Sequence, residues 1–312
     1  MNEAIHKVPD RPTLIQAERL GGPVIHAFSA RQGGVSRGPF ATLNLGQSVG
    51  DDTAAVHENR RRFFGRFDIE SSRVVRVKQV HGDQVLVVDA PLTRRPGFPG
   101  ILIEEPARYD AMITNLPGFA LVVSTADCVP ILIQDPVKKV IAAVHAGWRG
   151  TAERIAAKAL AALEAVYDAS PLTCRVAIGP AIRQCCYEID QPVKEALAGA
   201  VGRDVGLVPS RSGHWRADLP GINCAILHEA GVPLESIEDV GLCTACRPDL
   251  FFSHRRDHGH TGRMMNFILI LPTPEAELPK ELEEVRQAEQ TLAWEGGPPT
   301  DPVTGAATGE PA

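Results

Sequence analysis

Lys139-Val140-Ile141-Ala142-Ala143-Val144-His145-Ala146-Gly147-Trp148-Arg149-Gly150, residues 139–150, runs from a β-branched apolar stretch through a histidine into a turn with two glycines. Lys139–Ala143 reads as a strand. Thr151 then opens a helix whose apolar positions Ile155, Ala159, Leu163 and Val166 recur at the helical period. Cys174–Ile178 is the next apolar run, so residues 139–178 read as a βαβ unit, a unit with parallel strands and a right-handed crossover. His145 is thereby set beyond the carboxyl end of its strand, where open α/β sheets bind ligands. Gly147 and Gly150 allow the tight backbone turn this needs.

The other elements follow outward from this unit. Pro23–Phe28 reads as a strand followed by a Gly33-Gly34 turn, and Asp51-Asp52 caps a helix to about Phe67 with Val56, Phe63 and Phe67 on one face. Arg73–Val80 and Gln84–Val88 read as a hairpin with His81 at its turn. Phe119–Ser124 and Val129–Gln134 are two further strands broken by Asp127-Cys128, a helix runs from Asp218 to Glu229, and Met264–Leu271 is the last strand. The expected fold class is α/β with α+β character: a single domain over 12–272, α-β-α layered, with a mixed sheet covered by helices. Residues 1–11 are expected to be flexible. A surface segment over 273–295 is expected to carry a charged helix at 275–294, and 296–312 to form a disordered tail.

Composition narrows the function classes. The chain has 312 residues, 44% hydrophobic and 22% charged, enough for a full core. Its net charge is −6 and its pI about 5.9, so no basic field attracts nucleic acid or an anionic membrane. No apolar run approaches the length of a membrane span, and Met1–Arg19 has no signal-peptide core. Seven cysteines, an odd number, argue against a disulfide framework. The expectation is a cytoplasmic protein with reduced thiols.

His81, Cys128 and His145 each stand at the end of an apolar stretch in a turn marked by Gly or Asp. Two imidazoles and a thiolate suit zinc and leave a fourth tetrahedral position for water or substrate, as in catalytic sites. Singly, each has an ordinary reading: a solvated turn histidine, a small buried hydrophobe, a core histidine. A rival reading makes Cys128 a nucleophile activated by His145 or His81.

Arg31, Arg149 and Arg255-Arg256 are candidates for holding phosphate or carboxylate, with Arg149 foremost because it shares the His145 loop. Salt-bridged surface arginines are the alternative. Asp127 is the nearest carboxylate for proton transfer, or else a turn cap, and Tyr187 is a candidate aromatic wall. Cys243-Thr244-Ala245-Cys246 and the adjacent Cys185-Cys186 are read as free thiols, because no second ligand pair follows Cys246 closely. His258-Gly259-His260 could ligate copper, but a multicopper oxidase needs several such pairs and this chain has one. No GxGxxG or P-loop supports a nucleotide cofactor.

The segments Phe28–Ser36, Leu43–Gly46, Gly50–Asp52, Glu58–Arg60, Gln79–Gly82, Thr125–Cys128, His145–Gly150, Gly179–Ala181, Tyr187-Glu188, Phe251–Ser253 and Arg255–Asp257, in this order, resemble one family. It is the laccase-domain or polyphenol oxidase-like family, also called peptidoglycan editing factor and now described as purine nucleoside phosphorylases. The resemblance implies an α-β-α layered fold and zinc held by His81, Cys128 and His145, with copper as an alternative ion. It also implies phosphorolysis of adenosine, inosine and 5′-methylthioadenosine, with adenosine deamination as a second activity. The candidate catalytic residues are Asp127 and Arg149, and the candidate substrate-binding residues Arg31, Asn44, Tyr187 and Arg255. Purine nucleosides and phosphate are the expected partners, with neither nucleic acid nor membrane. His254, where the family commonly has tyrosine, and Ile182-Arg183, where a glycine usually follows the isoleucine, depart from its pattern. The runner-up activity is a cysteine amidase or peptidase editing peptidoglycan precursors; a zinc-stabilised binding module is the third.

Overall fold

The computed structural model describes residues 11–89, 101–103, 108–202 and 204–272. The expected tail, the surface helix over 275–294 and nearly all of the expected flexible N-terminus lie outside them. In chain order the strands are β1 (Leu14–Ile15), β2 (Val24–Ser29), β3 (Val74–Val77), β4 (Val85–Val87), β5 (Ile101–Ile103), β6 (Ala111–Thr114), β7 (Ala120–Thr125) and β8 (Val129–Asp135). They continue as β9 (Val140–Ala146), β10 (Arg175–Ile178), β11 (Glu188–Asp190), β12 (Leu207–Pro209), β13 (His214–Ala217), β14 (Ile237–Asp239) and β15 (Met264–Ile270). The helices are α1 (Thr53–Gly65), α2 (Trp148–Ala152), α3 (Ile155–Tyr167), α4 (Gln191–Val201) and α5 (Leu219–Glu229).

The mixed α/β fold class holds, and the β layer is two sheets thick. One six-stranded sheet has the order β1-β2-β15-β7-β3-β5, the other β14-β10-β8-β9-β6-β4, and β11-β13-β12 form a small third sheet. Both large sheets mix parallel and antiparallel pairs. Strand parity shows how they are covered. Ala120, Val122, Phe267 and Leu269 pack against Phe63 and Phe64 of α1. Val129, Ile131, Ile133, Val140, Ala142 and Val144 pack against Ile155, Ala159 and Leu163 of α3 and Ile222 and Ile226 of α5. The alternate residues Leu121, Val123, Ile268, Leu132, Ile141 and Ala143 are also fully buried, where β7 and β15 lie against β9. Strands covered on both faces are apolar at every position, which is why β8, β9 and β15 read as unbroken hydrophobic runs.

The βαβ reading survives with one strand inserted. β9 and β10 are both antiparallel to β8, which lies between them, so they run parallel with α2 and α3 as the crossover. The hairpin reading is overturned. β3 joins the first sheet beside β7 and β5, whereas β4 joins the second beside β6, so residues 78–84 cross from one sheet to the other. Two β-branched runs around a Gly look alike whether they pair or part. Both β3 and β4 have better partners in parallel register.

Close approach between the sheets requires a missing side chain at Gly179, which follows β10. A Cβ there would lie 2.3 Å from Cδ1 and Cε1 of the fully buried Phe28 in β2. Gly179→Ala is expected to destabilise the fold by about 1–3 kcal/mol through overpacking. Urea unfolding should show a lower midpoint at unchanged slope. Adding Phe28→Leu should recover part of the loss, and an unshifted midpoint in the single variant would refute the packing argument.

Candidate metal centre

Two chain crossings between the sheets build one site. Residues 78–84 leave β3 for the second sheet and carry His81. Residues 126–128 leave β7 for β8 and carry Cys128. Each crossing turns through a non-glycine residue in the left-handed region, His81 at φ 61° and Asp127 at φ 93°, a conformation that persists only where surrounding contacts hold it. The clamp between the crossings is Gln79, whose amide accepts the Ser124 N–H at 2.8 Å and donates to the Ser124 carbonyl at 2.9 Å.

His145 lies inside β9, paired with Pro130, not beyond the strand end as the sequence suggested. Its N–H donates to the Asp110 carbonyl at 2.7 Å, which extends the ladder one residue further. Its ring points to the inter-sheet side and meets the His81 ring edge to face, centroids 4.9 Å apart. One ligand atom from each of His81, Cys128 and His145 lies within 4.8 Å of the others. Nitrogen and sulfur ligands of a tetrahedral zinc stand about 3.3–3.8 Å apart, so the donor set and its spacing fit one ion. His145 is buried, Cys128 half-buried and His81 exposed, so the site opens on one side. Gly147 keeps it clear: a Cβ there would sit 3.0 Å from the His81 ring and 3.2 Å from Cys128 Sγ.

Asp110, which the sequence reading missed, stands behind the centre with no exposed surface. Its Oδ1 lies 2.7 Å from His145 Nδ1, and its carboxylate accepts the N–H groups of Val80, His81 and Gly82 at 3.1, 3.0 and 2.7 Å. The partner on Nδ1 leaves Nε2 of His145 to face the site. Burial opposes ionisation of Asp110, yet the bond to His145 and the backbone donors hold it below the usual carboxylate range. Burial likewise opposes the Cys128 thiolate, but the positive charge of His145, with hydrogen bonds from both histidines, brings its pKa down to about 6. Burial would lower His145, but the Cys128 thiolate and Asp110 outweigh it and raise it to about 9. Without an ion, Cys128 and His145 therefore favour the thiolate–imidazolium form; an ion would take the place of the proton.

The remaining candidates divide by position. Half-buried Tyr187 lies within electrostatic reach of Cys128, Asp127, Arg149 and Arg255. Burial and the two anionic groups keep it a neutral phenol, its pKa pushed up to about 12. The Arg255 guanidinium lies 4.9 Å from the Tyr187 ring centre and donates to the Glu188 carbonyl. Exposed Arg149 lies over Trp148 at 4.4 Å. Asp127 accepts the Thr244 hydroxyl at 2.6 Å and the Arg255 N–H at 2.7 Å, so its carboxylate ties three segments together. Arg31 donates to the Ala41 and Pro248 carbonyls and lies over Phe252 at 4.5 Å, with Arg256 and Asp257 as charged neighbours. Asn44 is fully buried; its amide donates to Gly46 and Asp51 and accepts from Gly46 and Arg263. Every hydrogen-bonding position of Asn44 is filled within the protein, where it holds its loop.

Arg263, just before β15, donates from its guanidinium to the Thr261 and Gly262 carbonyls; burial lowers its pKa, and the charges of Cys128 and Asp127 oppose that shift. Among the described residues His258 and His260 join no cluster able to hold an ion, and His260 packs on Phe40. No helix among them is long and apolar enough to cross a membrane.

Comparison with known proteins identifies the family. Residues 25–271 match the family model described as multi-copper polyphenol oxidoreductase laccase. The chain is 36% identical to purine nucleoside phosphorylase YlmD of Bacillus subtilis over 81% of this chain and 91% of that protein. It is 31% identical to human purine nucleoside phosphorylase LACC1 over 83% of this chain and 58% of that protein. The crystal structure of YlmD from Geobacillus stearothermophilus superposes with a TM-score of 0.75 at 35% identity, over 82% of this chain and 94% of that one. A Bacillus licheniformis protein, YfiH, follows at TM-score 0.73 and 34% identity, over 79% and 92%. The chain therefore belongs to the laccase-like polyphenol oxidoreductase family, whose curated members named here are purine nucleoside phosphorylases.

Proposed function

We propose that this chain is a zinc-dependent purine nucleoside phosphorylase that cleaves adenosine, inosine and 5′-methylthioadenosine, with adenosine deamination as a side activity. The observation that carries the reading is the convergence of His81, Cys128 and His145 on one open-sided point, with Asp110 orienting His145. The names of its relatives support the reaction class. The donor set favours a single zinc over a multicopper centre, because among the described residues only one cluster contains histidine. We place the catalytic domain at 12–272 and the protein in the cytoplasm.

In phosphorolysis a phosphate oxygen attacks the anomeric carbon as the bond to the purine nitrogen breaks, and positive charge builds on the sugar. A zinc ion held by the three ligands supplies Lewis acidity toward an oxygen of phosphate or substrate. Arg149, exposed and among the described residues without a carbonyl partner of the kind that occupies Arg31, is assigned the phosphate. Tyr187 offers a neutral aromatic wall to the purine and a phenol proton donor. The carboxylate of Asp127 is engaged by Thr244 and the Arg255 N–H, so its role is to position Arg255, which packs on Tyr187.

The second reading rests on the pairing of Cys128, its pKa near 6, with His145. A thiolate poised this way could open an amide in a peptidoglycan precursor. Purified protein given inosine with and without phosphate, with hypoxanthine and metal measured in the same sample, and a peptidoglycan-precursor peptide given in parallel to the metal-free protein, decides between them. Phosphate-dependent hypoxanthine release that disappears on chelation is expected. Phosphate-independent amide hydrolysis by the metal-free protein would replace the first reading with the second.

Arg149→Ala should raise the KM for phosphate about tenfold or more, the loss of one charge-assisted contact, and leave the KM for inosine nearly unchanged. An unchanged phosphate KM removes Arg149 from this role. Asp110→Asn should weaken metal binding by about 10–100-fold in competition with a chromogenic chelator. Equal affinities would show that orientation of His145 does not depend on it. In the metal-free protein, alkylation of Cys128 by iodoacetamide should rise with pH through a midpoint near 6 and be suppressed by zinc. A midpoint near 8.5, the ordinary thiol value, would contradict the described electrostatics.

A further inference from the structure

We propose that Cys185, Cys186, Cys243 and Cys246 form a second metal centre, a closed four-thiolate zinc site that is structural and separate from the His81–Cys128–His145 centre. The Sγ atoms of all four lie within 4.8 Å of one another. Cys246 Sγ is 3.3 Å from both Cys185 Sγ and Cys186 Sγ. Four thiolates around one zinc stand about 3.8 Å apart, so a small inward or outward adjustment of each side chain admits the ion. Four thiols on a tetrahedral site select zinc or iron. Thiolates of a multi-iron cluster bind different metal atoms and are spread more widely than these.

The backbone brings the two pairs together independently of any ion. Ala181 and Cys243 form a parallel bridge, Ala181 N–H donates to the Leu242 carbonyl, and Thr244 N–H donates to the Ala181 carbonyl. A turn then lifts Cys185 and Cys186 toward the second pair, its Cys186 and Tyr187 N–H groups both donating to the Arg183 carbonyl. The four thiols are free of disulfides, as expected, but the fold gathers them at one point. The second ligand pair exists, but it precedes Cys243-Thr244-Ala245-Cys246 and reaches it through the fold.

The position gives the ion a purpose. Cys186 is followed by Tyr187, whose ring supports Arg255. Cys243 is followed by Thr244, whose hydroxyl holds Asp127. A closed thiolate site ties these two supports of the first centre to each other, away from the reacting atoms. With no open coordination position it contributes folding energy and not catalysis.

The test is metal stoichiometry on the full chain, purified under reducing conditions. Zinc released on denaturation should amount to two equivalents per chain in the wild type, and one in Cys128→Ala. Cys243→Ser/Cys246→Ser should also hold one, and zinc should still shield its Cys128 from iodoacetamide. Because the double variant could fail to fold, the deciding spectrum is that of cobalt-exchanged Cys128→Ala, in which all four cysteines remain. An intense sulfur-to-cobalt charge-transfer band with tetrahedral visible bands is expected. One equivalent in the wild type with no such band in Cys128→Ala overturns the proposal. So do disulfides among the four cysteines in the native protein, or an iron chromophore with acid-labile sulfide.

Discussion

The buried carboxylate of Asp110 is the constraint on which the rest of the centre depends. A charge without solvent is tolerated only where it is fully partnered, and Asp110 has four partners: the His145 ring and the backbone N–H groups of Val80, His81 and Gly82. It thus fixes two ligands at once, one through its ring and one through its backbone. The price of burying the carboxylate is met by the same hydrogen bonds that shape the site. The third ligand is registered separately, through the Gln79 amide clamped on Ser124, four residues before Cys128.

This arrangement is possible because the β layer is double. In a single sheet, loops at the strand ends face one another across a crevice. Here two segments cross the gap between stacked sheets, and β9 supplies His145 from within the packed layer. The ligands therefore sit on backbone held by both sheets. Such support keeps a site's geometry tight: His145 lies in a strand, Cys128 adjoins one, and the main chain of His81 is held by the buried Asp110.

Much of this was legible in the residues. The helical period of Ile155, Ala159 and Leu163 gave α3, the Asp52 cap gave α1, and the Gly- and Asp-marked turns pointed to three residues that the fold brings together, His81, Cys128 and His145. What escaped depended on long-range pairing. Whether 73–88 pairs with itself or splits between sheets turns on partners far along the chain, and local β-propensity is the same in both cases. Asp110 precedes an apolar strand like any strand-initiating aspartate, and only its burial shows that it carries the site. The cysteines were counted by spacing, which is blind to a pair brought up from the other direction. Several polar residues in the family motifs, Asn44, Asn59 and Arg60 among them, proved to hold loops: Asn59 donates to Ser36 and to the Thr42 and Asn44 carbonyls, and Arg60 to the Leu45 carbonyl.

The place of β15 bears on how the molecule is made. It is the last strand of the described chain, yet it lies in the middle of its sheet, paired with β2 on one side and β7 on the other. Until residues 264–270 have left the ribosome, the facing edges of β2 and β7 have no partner, and the apolar surface that α1 covers is incomplete. Synthesis from the amino end thus leaves these strand edges open until late, and open edges are prone to pairing with other chains. Closure comes in a single late event that joins the first and last parts of the sequence, which makes for slow folding.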